Sequence, residues 1–264
     1  MDESIVVNNL VYNDLFEGLN FHIPKESFST VSGPNNCGKT TLIRILAGEI
    51  KTKKQILIDQ TYIENYKLDT LAKYIAAIFP TEIIFNSDTV SAEIKNVINQ
   101  KDLTTKEKKN LYNDIISKFN LTRYQKNDPN GLPQNIKVKL KLALLTILRP
   151  KIILLDDVTN SMNKTERKEF LTLIKDIQKE LHITLILTTK NLEDSLYSDY
   201  LYILNDKKLY LNGTPLDILK KDNVLNRMGL SIPFMVDLSV KLQDYQLISD
   251  IELDMDRMVD LLWK

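Results

Sequence analysis

The sequence predicts an α/β fold built around a parallel β-sheet, and three observations support this prediction. Short apolar runs alternate with longer amphipathic segments, which is the pattern of successive strand–helix–strand units. Two of the runs, residues 152–155 and 183–187, are almost continuously apolar, as strands buried on both faces of a parallel sheet require. A glycine-containing segment near the start of the chain lies between a predicted strand and a predicted helix.

Further strands are predicted on both sides of the glycine-containing segment. Short apolar runs separated by turn residues precede it, and they predict strands over residues 5–7, 19–23 and 28–31. A helix is predicted directly after the segment, over residues 41–48, and another strand follows at 55–58.

The middle of the chain is predicted to be mainly helical from residue 89 to 149, because apolar residues recur there at helical spacing. A helix over 164–180 separates the two buried strands, and a helical tail follows near the C-terminus. We therefore predict a main domain over residues 1–221, with a helical subdomain over about 85–149, and a small helical extension over 222–264.

The glycine-containing segment fits G-x-x-x-x-G-K-[ST], the phosphate-binding P-loop. Its glycines let backbone N–H groups point at phosphate oxygens, Lys39 can reach the β- and γ-phosphates, and the Thr40 hydroxyl can ligate Mg²⁺. The positive end of the following helix also favours anions. The predicted nucleotide contacts are Gly33, Pro34, Asn35, Asn36, Cys37, Gly38, Lys39, Thr40 and Thr41.

A second motif is the apolar strand that ends in Asp156 and Asp157. A buried strand that places a carboxylate at its C-terminal edge, beside a P-loop, is the arrangement that holds Mg²⁺ through water. We therefore predict a Mg²⁺ site formed by Thr40 and Asp156. An acidic turn after a core strand is the alternative interpretation of the same two residues.

The composition excludes several classes of protein. Of the 264 residues, 43% are hydrophobic and 27% charged, which is typical of a soluble globular chain. The net charge is zero and no concentrated basic stripe is present, so no nucleic-acid partner is predicted. Cys37 is the only cysteine, which suits a reducing cytoplasm. No apolar run approaches the ~18 residues of a membrane helix, so any membrane association is predicted to be peripheral.

The order of these motifs resembles that of ATP-binding cassette (ABC) ATPases. A helical insertion separates the P-loop from the Asp156 strand, and the sequence Thr188-Thr189-Lys190 follows the next strand. The tail, especially residues 228–234 and 253–263, resembles the C-terminal region of energy-coupling factor (ECF) transporter ATPases. The resemblance covers essentially the whole chain and implies the ABC-type P-loop NTPase fold, with ATP and Mg²⁺ as ligands.

The catalytic positions depart from the family pattern. Where the family has a glutamate after the Walker B aspartate, this chain has Asp157, which is one methylene shorter. A displacement of about 1 Å can cost ~100-fold in rate. The family's histidine aligns with Lys190, which can donate to phosphate but lacks imidazole acid–base chemistry. The resemblance therefore implies that Asp157 and Lys190 are the catalytic residues of a weakened site.

Two further family motifs are altered. The signature loop, Leu-Ser-Gly-Gly-Gln in the family, aligns with residues 132–136, where a proline and two polar side chains replace the serine and the glycines. The Q-loop glutamine should lie near residues 78–80, where no glutamine occurs. For the aromatic residue that stacks on the base, the usual position holds Asp14, and Tyr12 or Phe16 could substitute.

The resemblance predicts the ATP-binding subunit of an ECF-type importer of a micronutrient, a vitamin or a metal ion. We expect it to be the less active half of a heterodimer with a second ABC ATPase. Its other predicted partners are a membrane-embedded scaffold subunit and a substrate-binding membrane subunit, at the cytoplasmic face of the cell membrane. The alternative is an inert nucleotide-binding scaffold or regulator. A soluble ABC protein of DNA repair or translation is disfavoured, because no second P-loop domain, zinc motif or long coiled-coil insertion is present.

Overall fold

A computed structural model describes residues 2–263 and contains two β-sheets with helices packed on them. The strands are β1 (Glu3–Tyr12), β2 (Phe16–Pro24), β3 (Phe28–Ser32), β4 (Ile56–Ile58), β5 (Thr61–Tyr62), β6 (Ile75–Ile78), β7 (Ile152–Asp156), β8 (Thr184–Thr188), β9 (Tyr200–Asn205) and β10 (Lys208–Gly213). The helices are α1 (Lys39–Leu46), α2 (Leu68–Tyr74), α3 (Val90–Asn99), α4 (Thr105–Lys118), α5 (Gln134–Leu148), α6 (Lys164–Leu181), α7 (Pro215–Leu219), α8 (Asp222–Arg227), α9 (Phe234–Asp244) and α10 (Met255–Leu262).

The larger sheet confirms the predicted α/β class. Its strand order is β10–β9–β3–β8–β7–β6, and all neighbours from β9 to β6 run parallel, while β10 is an antiparallel edge strand. The carboxyl ends of β3, β7 and β8 therefore lie at one edge of the sheet. Ligands of open α/β sheets bind at this edge, outside the ends of the strands.

The smaller sheet is antiparallel, with the order β2–β1–β4–β5. A hydrophobic core fills the space between the two sheets and encloses α1. Strand β7 shows how both faces of the larger sheet are used, because successive side chains point to opposite sides. Its Ile152 and Leu154 belong to this core, and its Ile153 and Leu155 belong to the core on the other face.

Helices α3, α4, α5 and α6 cover that other face and bury a second core. The predicted helical region over residues 89–149 is confirmed as α3, α4 and α5. Local signals set where two of the helices begin. A capping box of Thr104 and Glu107 starts α4, and a capping box of Asn163 and Glu166 starts α6.

The C-terminal helices pack on the edge of the larger sheet. Leu201 and Ile203 of β9 form a third core with apolar residues of α7, α8 and α9, including Leu219, Leu225 and Val236. Helix α10 keeps several apolar side chains at the surface, and Val259 is 45% exposed. Across residues 2–263, no helix has the length and apolar character needed to cross a membrane.

Candidate nucleotide-binding site

The P-loop connects β3 to α1 at the carboxyl edge of the larger sheet. Gly38 has φ +95°, and a Cβ there would lie 2.7 Å from the Phe16 ring. A Cβ on Gly33 would lie 2.2 Å from the carbonyl oxygen of Leu204. Both positions therefore require glycine, which leaves the loop backbone free to approach a ligand closely.

Lys39 is held inside this loop, at the first residue of α1. It is 7% exposed, and its Nζ donates hydrogen bonds to the carbonyl oxygens of Gly33 and Pro34, both at 2.9 Å. The Sγ atom of Cys37 lies 3.7 Å from the same ammonium, while burial raises the pKa of the thiol. The ammonium is therefore positioned at the loop, where it can reach a bound phosphate.

A cavity of about 520 Å³ opens beside the P-loop. Its wall combines residues predicted to contact the nucleotide with the carboxylate predicted to be catalytic. The lining residues are Leu15, Asn35, Asn36, Gly38, Lys39, Thr40, Thr41 and Asp157. Leu15, in the turn between β1 and β2, was not expected from the sequence, because it belongs to no motif.

Asp156 joins the P-loop to the two central strands. Its Oδ2 accepts a hydrogen bond from the Thr40 hydroxyl at 2.8 Å, and its Oδ1 accepts one from the Thr188 hydroxyl at 2.7 Å. The predicted pair Thr40 and Asp156 is therefore in direct contact. Thr188 lies in the Thr188-Thr189-Lys190 segment on which the family resemblance rests, but the sequence predicted no contact between Thr188 and Asp156.

This donor set fits Mg²⁺, which prefers carboxylate and hydroxyl oxygens in company with phosphates. Asp156 is 6% exposed and lies beside a phosphate-binding loop, so Thr40 and Asp156 would hold the ion. Bound Mg²⁺ would neutralise negative charge on the phosphates. The chain itself fixes the orientation of the Asp156 carboxylate. The Thr188 hydroxyl holds its Oδ1, so that its Oδ2 points toward Thr40.

Asp157 occupies a strained turn at the end of β7, with φ +49°. Its backbone N–H donates to the Thr188 hydroxyl at 3.0 Å, and among the described residues its buried Oδ1 has no hydrogen-bond partner. Burial, and then the neighbouring Asp156, raise the pKa of Asp157, while Lys39 and Lys190 lower it. The two predicted catalytic residues are thus electrostatically coupled, with Lys190 exposed after β8.

Asp194 is a second buried carboxylate near this edge, and no motif pointed to it. It is fully buried, and its Oδ2 accepts hydrogen bonds from the hydroxyls of Thr159 and Thr189, both at 2.8 Å. Burial raises the pKa of Asp194, and Nε of Arg167 lies 3.9 Å from its Oδ1. Asp194 therefore ties the loop that follows β7 to the loop that follows β8.

The candidates for base stacking lie in different environments. Phe16 is fully buried against the P-loop glycine, so it has no exposed face for a base. Tyr12 is half-buried and packs against the core of the smaller sheet. Asp14 is exposed in the turn between β1 and β2. Tyr12 remains the predicted stacking residue, with Leu15 as an apolar neighbour of the cavity.

The segment aligned with the signature loop forms the start of α5. Leu132 is buried, and Pro133 is the N-cap residue of the helix. The side chain of Gln134 donates to the carbonyl oxygen of Pro80, and Asn135 Nδ2 donates to Glu166 Oε1 at 2.9 Å. Both replacement side chains are therefore bonded inside the chain.

A parallel sheet that places a P-loop lysine, a P-loop threonine and a strand-end carboxylate at one edge defines a P-loop nucleoside triphosphatase. The sequence profile of the ABC transporter family matches residues 16–160, more than half of the chain. The chain therefore belongs to the ABC transporter family, whose ATPases bind ATP with Mg²⁺ and hydrolyse it.

Individual relatives agree with this assignment. The energy-coupling factor transporter ATP-binding protein EcfA1 of Mycoplasma mobile is 27% identical over 248 residues, which is 93% of this chain and 89% of that protein. Among solved structures, cbiO1 from Clostridium perfringens, part of the ABC transporter complex cbiONQ, has a TM-score of 0.74 at 22% identity, covering 90% of this chain and 99% of the other. A dimeric post-hydrolysis state of the ATP-binding cassette MJ0796 with ADP and phosphate has a TM-score of 0.68 at 18% identity, covering 80% and 98%. These two likenesses confirm the ABC-type fold.

Proposed function

We propose that this chain is the ATP-binding subunit of an ECF-type importer, and that it couples ATP binding and hydrolysis to uptake of a micronutrient, a vitamin or a metal ion. One observation carries the proposal. The same chain holds the P-loop and strand-end residues for binding phosphate and Mg²⁺, namely Lys39, Thr40 and Asp156, and altered residues at the catalytic positions and the signature. Such a chain binds nucleotide well and turns it over slowly.

The slow turnover follows from two residues. Asp157 is one methylene shorter than glutamate, and a raised pKa makes its carboxylate harder to keep ionised. Lys190 offers a positive charge to phosphate but no neutral imidazole. If the misplacement of the carboxylate reaches about 1 Å, the rate falls by ~100-fold.

The chain is proposed to act in a heterodimer with a second, intact ABC ATPase. Each ATP then lies between the P-loop of one subunit and the signature of the other. The P-loop of this chain meets the partner's intact signature, and the partner's P-loop meets residues 132–136. A homodimer would be weak at both sites, since each would combine Asp157 with the altered signature.

The relatives support the remaining partners. EcfA1 is named as an energy-coupling factor transporter protein, and cbiO1 is described as part of a transporter complex. By analogy, this chain binds a membrane-embedded scaffold subunit and works beside a substrate-binding membrane subunit. It would then lie peripherally at the cytoplasmic face of the membrane.

A second candidate function is an inert scaffold or regulator that binds nucleotide and stabilises an active ATPase. The observation that favours it is the inward bonding of Gln134 and Asn135, which turns both signature side chains away from a partner's nucleotide. The two candidates differ in whether hydrolysis at this chain's own P-loop contributes to transport.

The test begins with affinity purification of the tagged chain from gently solubilised membranes, followed by identification of co-purifying proteins. We expect a second ABC ATPase and a multi-span membrane protein. Recovery of the chain alone, or with soluble proteins only, would refute the transporter proposal.

The purified complex then separates the two candidates. Lys39→Ala in this chain removes its own nucleotide site, and the equivalent substitution in the partner is the matched control. A partial loss of ATPase activity and uptake with Lys39→Ala would support the proposal that this chain is the less active half of the heterodimer. Unchanged hydrolysis and uptake would assign the chain to the inert scaffold.

A further inference from the structure

We propose that Gln134 and Asn135 are positioning residues that clamp the first turn of α5 to the segment after β6 and to the first turn of α6. These residues stand where ABC ATPases of ordinary sequence have signature glycines, so neither clamp contact can exist with glycine. The inference goes beyond the proposed function, because it assigns the replaced signature a role inside this chain.

The first arm of the clamp is Gln134. Its Nε2 donates to the carbonyl oxygen of Pro80, just after β6. The segment that carries Pro80 is itself fixed to the P-loop helix. The guanidinium of Arg44 on α1 lies 4.3 Å from the Phe79 ring centroid and forms an ion pair with Glu82. Gln134 therefore links α5 to the helix that begins at the P-loop lysine.

The second arm is Asn135. Its Nδ2 donates to Glu166 Oε1 at 2.9 Å, and its Oδ1 accepts the backbone N–H of Ile136 at 3.0 Å. Glu166 is also part of the capping box that starts α6, since its Oε2 accepts the N–H of Asn163 at 3.1 Å. Helix α6 follows the loop that leaves Asp156. This arm therefore links α5 to the loop that carries the acidic residues.

A third contact also joins the turn before α5 to the segment after β6. The Asn130 side chain accepts the N–H of Phe85 at 3.0 Å and donates to the carbonyl oxygen of Phe85 at 2.9 Å. The clamp and this paired contact hold both sides of the turn that leads into α5. Pro133 adds no N–H, so the turn offers fewer donors to a ligand than a glycine-rich loop does.

The consequence for the ATPase rests on the proposed function. If residues 132–136 face a partner's ATP, the clamp holds this turn in one orientation and directs its side-chain donors inward. The partner's ATP is then gripped by fewer groups from this chain. The clamp itself requires no partner, so it can be tested on the chain alone.

The experiment is amide hydrogen exchange of the purified chain, compared between wild type and two single variants. Gln134→Met removes the donor at similar volume, and Gln100→Met, at an exposed glutamine after α3, is the matched control. Loss of one hydrogen bond is expected to speed exchange about fivefold in residues 80–85 and 132–137, without a change in the β-strands.

A swap of donor and acceptor tests the second arm through rescue of the same contact. Asn135→Asp faces the Glu166 carboxylate with a like charge, so exchange should rise at least about fivefold in the first turns of α5 and α6. Adding Glu166→Gln restores a donor–acceptor pair with the donor on the other side chain, and it should return exchange to the wild-type rate. The capping acceptor is retained in this double variant.

Localised faster exchange with rescue by the swap supports the clamp. Unchanged exchange in Gln134→Met, or a uniform rise across the whole chain, would overturn it. A failure to find a partner ATPase in membranes refutes the proposed function and leaves this measurement unaffected.

Discussion

Replacing the buried Asp194 side chain by the methyl group of alanine is expected to destabilise the folded chain by about 3 kcal/mol. Asp194→Ala leaves two buried hydroxyls, those of Thr159 and Thr189, without their shared acceptor. Each unsatisfied buried group costs about 1–3 kcal/mol. The sum is reduced because the ionised carboxylate already carries a burial penalty, as its raised pKa shows. For a chain of this size, about 3 kcal/mol lowers Tm by roughly 6–12 °C.

Urea unfolding and thermal melts of the purified chain measure this loss. Asp194→Asn keeps an oxygen acceptor for both threonines and should cost under about 1.5 kcal/mol. The control Asp176→Ala, on the exposed face of α6, should stay within about 0.5 kcal/mol of wild type. A double-mutant cycle with Thr159→Val should give a coupling of at least about 1 kcal/mol. Additive effects, or a loss below about 1 kcal/mol in Asp194→Ala, would show that Asp194 does not join the two loops.

Three further predictions concern the nucleotide site. Lys39→Ala should weaken ATP binding to the isolated chain at least about tenfold, because a charge-assisted contact with phosphate is lost. Equal affinity of the variant and wild type in a calorimetric titration would contradict this contact. Asp157→Asn should melt at a higher temperature than wild type at pH 7, because a raised pKa means that the folded chain loses stability as pH rises and Asp157 ionises. The difference in melting temperature should therefore vanish near pH 4. A difference that grows as pH falls would be inconsistent with the raised pKa. Tyr12→Ala should weaken ATP binding about fivefold, and Tyr12→Phe, which keeps the ring, should leave it unchanged. If Leu15→Ala weakens ATP binding and Tyr12→Ala does not, the base does not stack on Tyr12.

The parts of the fold that local patterns specify were predictable. Continuous apolar runs identified β7 and β8, and helical spacing identified α3 to α6, with bounds within a few residues of those observed. Strand β6 and the hairpin of β9 and β10 were not predicted. Residues 75–78 are two isoleucines around two alanines, and they become a strand because β7 pairs with them from more than seventy residues away. Such pairing leaves no local signature.

The same distinction holds at the site. The contact between Thr40 and Asp156 followed from two motifs whose residue types carry the chemistry. The roles of Thr188 and Asp194 came from the structure, because the bonds from Thr188 to Asp156 and from Thr159 to Asp194 join residues 32 and 35 positions apart. The inward bond of Gln134 was equally unpredictable, since the family pattern shows which residue replaces a glycine and not what its side chain contacts.

The strand order has a consequence for how the protein emerges from the ribosome. Strand β3, which leads into the P-loop, pairs with β8 and β9, and both are synthesised more than 150 residues after it. At 5–20 residues per second, β3 waits roughly 8–30 s with both edges unpaired. Its apolar residues are open to chaperones during that interval. Protease digestion of ribosome-bound chains should therefore show residues 28–32 protected only after β9 has left the exit tunnel.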